Sequence, residues 1–337
     1  MSNYSGHKTV NWLLILQGWT MLWVVIGHSN LEEPGCNPVF EEFLYSFAYS
    51  FHMPLFMLIS GWLFYYTRLS SSEINNPWTF GGVLKDKVVR ILIPGLVFSI
   101  IAYAVKLAFP GDVSRQVSLN GAEIAHSYLY PNDNPLRELW FLVTLFWFFA
   151  LFPLWKAVLS KNWSTWILLL VLCVLHFVHP QCELLCLDRV FDFAIWFYLG
   201  IIASRYNAVD KLKGKHFVWF LPVSICIYVL GRVYSPFIAT VGGILLSFSI
   251  ALVLDKLLPS VFSSFRKYTY QIFLLGIFVQ ILVKILYHHH AWPYIPCYLL
   301  CILLGIYVPV IVAKTVEMIN WEPLMICYGL KKRPSTI

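Results

Sequence analysis

A chain that returns repeatedly to runs of about 20 apolar residues has few folds open to it, because that length crosses a ~30 Å hydrocarbon core as a helix. Ten such windows run through this sequence, near 12–30, 44–66, 88–109, 137–157, 163–179, 189–204, 216–232, 236–255, 268–287 and 294–316. Lipid offers backbone N–H and C=O groups no partner, so each window must satisfy its own hydrogen bonds as a helix. None shows the alternation of a barrel strand. Composition agrees: 59% of the residues are hydrophobic and 12% charged, and the mean hydropathy is +0.70. A soluble core wrapped in polar surface does not sustain such values. The expectation is an all-α polytopic membrane protein, a single bundle of about ten transmembrane helices with both termini cytoplasmic.

Lys and Arg set the orientation. With the N-terminus inside, 18 of the 24 basic residues face the cytoplasm and 6 fall on the outer side or outer half. That is the asymmetry of the positive-inside rule, so the net charge of +7 reads as topology and not as a nucleic-acid footprint. The opening "MSNYSGHKTVNW" lacks a basic run before a short apolar core, and no small-residue cleavage site follows. The first helix is therefore expected to stay in a multi-pass protein of the cell inner (plasma) membrane.

Residues 1–320 read as one transmembrane domain and 321–337 as a basic, disordered cytoplasmic tail ending "GLKKRPSTI", suited to anionic headgroups. The longer loops are an acidic outer one (31–42), an inner one (68–87) and a polar outer one (110–137) expected to hang in solvent and mould an entrance. No internal repeat suggests the paired halves of a transporter. Cys182 and Cys186 ("CELLC") sit in an outer loop where a disulfide is open to them, whereas Cys173 and Cys226 read as apolar filler in spans. No metal site is expected: no second cysteine or histidine pair with zinc-ligand spacing lies near "CELLC", and the adjacent histidines of "YHHHAW" cannot all face one ion from a helix.

Ionisable groups inside a membrane are costly and so are functional candidates by default. His28 ends the first window, and Gln17 lies eleven residues earlier on nearly the same helix face, ~16 Å away along the axis. His52 shares the outer half, followed by Pro54 and by "ISGW", whose small residues admit a neighbouring helix. Each histidine reads either as a packed, hydrogen-bonded residue or as a working imidazole. Lys85, Lys87 and Arg90 in "KDKVVRILIP" stand at the cytoplasmic mouth, as topology anchors or as a seat for phosphate. On the outer side Arg137, Glu138 and Trp140 join Asp188, Arg189 and Asp192, an aromatic and charged set that suits a sugar and also suits ordinary interfacial duty.

The blocks "LLILQGWTMLWVVIGHSN", "FHMPLFMLISGWLFYYT", "KVVRILIPGL", "LWFLVTLF" and "RKYTYQIFLLGIF" resemble, in order and spacing over essentially the whole chain, the acyltransferase family 3 membrane proteins. The nearest flavour is the fucose 4-O-acetylase type of O-acyltransferase. The resemblance implies ten helices and transfer of an acyl group, commonly acetyl from cytoplasmic acetyl-CoA, to a hydroxyl of an envelope or exported carbohydrate or glycolipid. By position it implies His28 for acyl transfer, with His52 matching a second family histidine that would orient or substitute for it, and Lys87 with Arg90 for the donor; Gln17 is expected at the donor as a hydrogen-bonding group without charge. Trp140, Arg189 and Asp192 become the expected acceptor contacts. Expected partners are acyl-CoA, the acceptor and membrane lipid, with no nucleic acid and no bound cofactor; acyl-CoA is a substrate. His28 would serve as general base or as a covalent acyl relay. Two departures stand out: Leu14 and Gln17 replace the family's first-helix Asp and cation, and Gly276 replaces a frequent histidine. The rival readings are a transporter or flippase for a glycan precursor and a non-catalytic relative.

Overall fold

The computed structural model describes residues 10–31, 38–70, 79–108, 117, 120–212, 217–290 and 292–331. Among these the regular structure is entirely helical. In chain order the elements are α1 (Asn11–Gly27), α2 (Val39–Phe64), which a π-helical turn (Tyr65–Leu69) continues, and α3 (Phe80–Lys87). A second π-helical turn (Val88–Leu92) leads into α4 (Ile93–Ala108), followed by α5 (Gly121–Leu129), α6 (Leu139–Ala150), α7 (Phe152–Leu159), α8 (Asn162–Val178) and α9 (Leu187–Arg205). Then come α10 (Ala208–Leu212), α11 (Phe217–Tyr234), α12 (Pro236–Leu257), α13 (Thr269–His290), α14 (Tyr294–Ile319) and α15 (Glu322–Cys327).

All ten apolar windows fall on helices. Five helical stretches are long and apolar enough to cross a membrane, 39–69, 80–108, 236–257, 269–290 and 294–319. A sixth is added if α6 and α7 count as one span bent by 47°. Helices α1, α8 and α11 are apolar but shorter. Helix α9 carries Asp188, Arg189 and Asp192 in its first two turns, a charge load that an apolar span does not bear. An all-α membrane fold is therefore plain, whereas length and composition establish five or six of the ten expected spans.

The helices gather into two compact units, Met1–Thr67 with Gly200–Ala313, and Arg68–Leu199 with Lys314–Ile337. In the first, α1, α2 and α12 pack on one another, α11 forms a hairpin with α12, and α13 lies against α1. The hairpin closes at Gly242, where a Cβ would come 2.4 Å from the Tyr228 backbone nitrogen, an approach that only glycine permits. Met21, Val24 and Val25 of α1 pack with Ile272 of α13 and with Ile306 and Val310 of α14. Buried Gln280 donates to the Val25 carbonyl and to the Ser29 hydroxyl, at 2.8 Å each, tying the end of α1 to α13.

Pro54 shows how a sequence defect is repaired by tertiary contact. It has no N–H, so the Ser50 carbonyl one turn earlier lacks its helical donor. The Thr240 hydroxyl of α12 donates to that carbonyl at 2.7 Å. A carbonyl left bare in this setting would be costly, which is why prolines persist in membrane helices only where a neighbour supplies the missing donor.

The second unit is built around stacked aromatics. Phe148 and Phe197 lie 4.9 Å apart, Trp155 stacks on Tyr198 at 5.5 Å, and all four are buried. In lipid such contacts stabilise through dispersion and shape more than through water exclusion. At the bend between α6 and α7 the Trp155 indole donates to the Phe148 carbonyl at 2.7 Å, satisfying an acceptor at the end of α6. The outer loop expected to hang in solvent contains a helix and packed residues between Asn120 and Asn134. Helix α5 begins with the Asn120 side chain accepting from Ala122 N–H at 3.0 Å. Buried Asn134 then bonds Ser99 of α4 at 2.9 Å and Ser127 of α5 at 3.4 Å, pinning this segment to α4. The tail also departs from expectation: Glu322–Cys327 is helical, with Met325 buried and Tyr328 edge-on to Phe98 of α4 at 5.4 Å. Apolar residues ahead of the basic run gave it something to bury. Lys332 to Ile337 lie outside the described residues.

Candidate active site

His28 follows the last residue of α1, its backbone N–H reaching the Val24 and Val25 carbonyls at 3.1 and 3.2 Å. Its ring is half-buried, with the Tyr49 ring centroid 6.0 Å away. Tyr49 lies one turn before His52 on α2 and meets that imidazole edge-on at 4.9 Å. The two histidines singled out in the sequence are thus both neighbours of one tyrosine ring. His52 is 2% exposed, and its Nδ1 lies 2.7 Å from the Ala48 carbonyl. A carbonyl can only accept, so Nδ1 carries the proton in this contact and Nε2 keeps the basic lone pair. The i−4 carbonyl of the helix itself fixes the ring and its tautomer.

Tyr49 also faces outward. It lines an open cavity of about 620 Å³ together with Tyr45, Ser50, Arg232, Tyr234 and Thr240. Tyr45 and Tyr49 are 4.1 Å apart with planes inclined by 30°, and the Arg232 guanidinium donates to the Ser46 hydroxyl at 2.6 Å. Apolar ring faces beside hydroxyls and a forked cation are chemistry suited to a polyhydroxylated molecule, since C–H faces pack on rings while hydroxyls find donors and acceptors. Gln17 lies half-buried on α1, two helical turns or more from His28. The charge absent at Gln17 is not restored by Arg266. That guanidinium is committed to Asn11 at 2.9 Å and to the Pro259 and Val261 carbonyls, where it holds the 259–266 turn.

Gly276, the other departure, has a packing reason. A Cβ there would come 2.9 Å from the Gly305 carbonyl oxygen of α14, so a histidine has no room. The first unit therefore holds Gln17, His28 and His52.

The remaining predicted residues belong to the second unit. Arg90 binds Asp86 through Nε at 2.8 Å, and Arg68 binds the other oxygen of the same carboxylate at 3.0 Å. Both arginines sit on the π-helical turns, a local geometry frequent at functional sites. The Lys87 ammonium lies 3.9 Å over the Phe149 ring, a cation–π contact. Lys87 and Arg90, read as one pair, are thus engaged separately, and Asp86, between Lys85 and Lys87 in "KDKVVR", is the residue that sequence reading passed over.

Trp140 and Arg189 meet, while Asp192 is engaged elsewhere. Trp140 stacks on Phe193 at 5.5 Å, and Arg189 lies 5.4 Å over the Trp140 ring and 3.5 Å from Asp188. Asp192 is bonded through its carboxylate to His179 Nδ1, while its carbonyl accepts from His176 Nδ1 at 2.8 Å. Neither histidine was singled out from sequence, and only the turn at His179, with φ of 49°, brings the end of α8 back to α9. Cys182 and Cys186 are free thiols. Burial, helped by the Asp188 carboxylate, pushes the Cys186 thiol up to about 12, so it stays protonated and unreactive at neutral pH.

Among known proteins, the family model described as an acyltransferase domain matches residues 10–314. No curated protein and no solved structure matches the chain.

Proposed function

The chain belongs to acyltransferase family 3, membrane proteins that transfer acyl groups, and from that membership we propose a finer reading. It moves an acetyl group from cytoplasmic acetyl-CoA to a hydroxyl of an envelope or exported carbohydrate. One observation carries this reading: Tyr49 touches both histidines and forms part of the wall of the aromatic, hydroxyl-lined cavity. An acceptor seated there has its reacting hydroxyl beside a tyrosine ring that neighbours both imidazoles.

In the proposed step, an imidazole of the pair takes the proton of the acceptor hydroxyl as its oxygen attacks the thioester carbonyl carbon. The C–S bond then breaks, and the sulfur leaves with the proton returned by the imidazolium, giving an O-acetyl ester and free CoA. His28, half-buried at the end of α1, is the proposed base, and His52, held through Nδ1 by Ala48, orients it through Tyr49. Gln17 is proposed to hydrogen-bond the donor without charge. Lys87 and Arg90 are proposed for its phosphates, and Trp140, Arg189 and Asp192 for contacts with the acceptor. The protein is proposed to work in the inner membrane with both termini cytoplasmic.

The test is mass spectrometry of ester-linked acetyl on envelope glycans from three strains: intact, deleted for this protein, and complemented with His28→Ala. An acetyl signal that vanishes on deletion, and that the variant fails to restore despite normal expression, supports the reading and identifies the acceptor. Full restoration by His28→Ala removes His28 from the chemistry. A deletion that changes no acyl ester overturns acyl transfer to a glycan in favour of transport of a glycan precursor.

A further inference from the structure

The sequence "EPLMICYGLKK" lies beyond the end of the family match at residue 314. Its path is set by local chemistry. Helix α15 ends in a Schellman turn: Leu330 N–H donates to the Met325 carbonyl at 2.8 Å and Gly329 N–H to the Ile326 carbonyl at 2.9 Å. Gly329 takes φ of 65°, which residues with a Cβ resist. The chain reverses there, and Met325 and Tyr328 anchor the reversal on α4. Leu330 and Lys331 are thereby returned over a cleft of about 500 Å³ whose opposite wall is α3 and the second π-helical turn, with Lys85, Asp86 and Arg90.

The charges in this cleft are unequal. Lys85, Arg90, Lys331 and, behind Asp86, Arg68 stand against the carboxylates of Asp86 and Glu322. Asp86 has both oxygens occupied by arginines, so it organises cations more than it repels an anion. It holds Arg90 by Nε, which leaves the paired terminal nitrogens, the fork that suits phosphate, outside that ion pair. Desolvation at the cleft wall, then the Arg90 and Arg68 charges, hold the Lys331 ammonium below the ordinary lysine range, with Asp86 pulling the other way. A surplus of crowded cations in an open cleft is relieved by a polyvalent anion.

We propose that the segment Glu322–Lys331 completes an anion-binding cleft in the second unit. Lys331, Arg90 and Lys85 are its cationic ligands, and the occupant bears phosphate, either as a soluble polyphosphate ester or as a lipid headgroup. The soluble source rests on the acyl-CoA reading above; the lipid source does not. The role of Lys331 depends on the turn at Gly329 and so belongs to the part of the chain that the family match leaves unassigned.

The experiment uses the full chain in nanodiscs of neutral lipid, titrated calorimetrically with pyrophosphate and with adenosine 3′,5′-bisphosphate. A parallel set in nanodiscs containing an anionic phospholipid is read by native mass spectrometry for retained lipid. Lys331→Ala and Arg90→Gln are each expected to weaken binding about tenfold, the loss of one charge-assisted contact. Gly329→Val keeps every charge but misdirects the segment, and is expected to weaken binding as Lys331→Ala does. Lys161→Ala, an exposed cation elsewhere in the second unit, serves as the control, and thermal unfolding verifies that each variant is folded. Variant-sensitive binding of the soluble anions assigns the cleft to a polyphosphate ester, and variant-sensitive retention of lipid alone assigns it to a headgroup. Unchanged binding in both Lys331→Ala and Gly329→Val, or no binding by either source, overturns the proposal. Because no turnover is read, loss of the acetyl-ester result above leaves this outcome separately decided.

Discussion

At the scale of single residues, the chemistry depends on small repairs and small intrusions. Thr240 supplies the hydrogen that Pro54 cannot give to the Ser50 carbonyl. Thr240→Val keeps the shape and removes the donor, so it is expected to destabilise the protein by about 1–3 kcal/mol, the cost of an unsatisfied buried acceptor, read as a lower midpoint of thermal unfolding in detergent. Tyr49 is the residue that sequence reading should have found, since it lies three positions before His52 and so shares its helix face. Tyr49→Leu is expected to lower acetyl-ester formation by about 10²-fold, a general acid–base contribution, with little loss of folded protein. Tyr49→Phe, which keeps the ring contacts with His28 and His52, is expected to retain most of the activity if packing between the rings is what matters. Equal activity in Tyr49→Leu and the parent would detach this ring from the chemistry.

Helices and turns answer a different question, namely why two of the family's expected groups are absent. The crossing of α13 and α14 brings Gly276 against the Gly305 carbonyl, so restoring the histidine of relatives is a test of packing before it is a test of catalysis. Gly276→His is expected to cost about 1–3 kcal/mol through overpacking and to bring no gain in acetyl transfer, measured by thermal unfolding alongside glycan mass spectrometry. A stable, more active variant would show that these helices can separate. The π-helical turns act at the same scale. Each displaces an arginine from ordinary helical register, and Arg68 and Arg90, 22 positions apart, reach one carboxylate. Hydropathy reports a helix through both segments and is blind to the extra residue per turn, so this clamp was not legible beforehand.

For the whole molecule, the consequence lies in how the C-terminal segment couples pH to anion binding. Lys331 titrates lower in the folded protein than in the unfolded chain, so between those two values the unfolded state holds more protons. This group's contribution to stability therefore rises as pH increases through that window, while the affinity of the cleft for pyrophosphate falls as Lys331 loses its charge. Calorimetric titration of the parent across neutral to alkaline pH is expected to show that loss, and Lys331→Ala to flatten it; identical profiles would place the titrating group elsewhere. Much else at this scale was written in the sequence. Apolar runs of spanning length, the need for helices in lipid, the sparing use of charge and the family blocks around His28, His52 and Arg90 all follow from local composition and spacing, because a helix in hydrocarbon satisfies its backbone without help from distant residues. The tertiary structure alone decided that Tyr49 of α2 meets His28 at the end of α1, that Asp86 gathers two arginines, that α12 repairs α2, and that Gly329 returns Lys331 to the cleft. The pairs Tyr49–His28, Asp86–Arg68, Thr240–Ser50 and Lys331–Arg90 join positions tens to hundreds of residues apart, and they depend on which faces meet when helices pack, something that neither hydropathy nor spacing along one helix encodes.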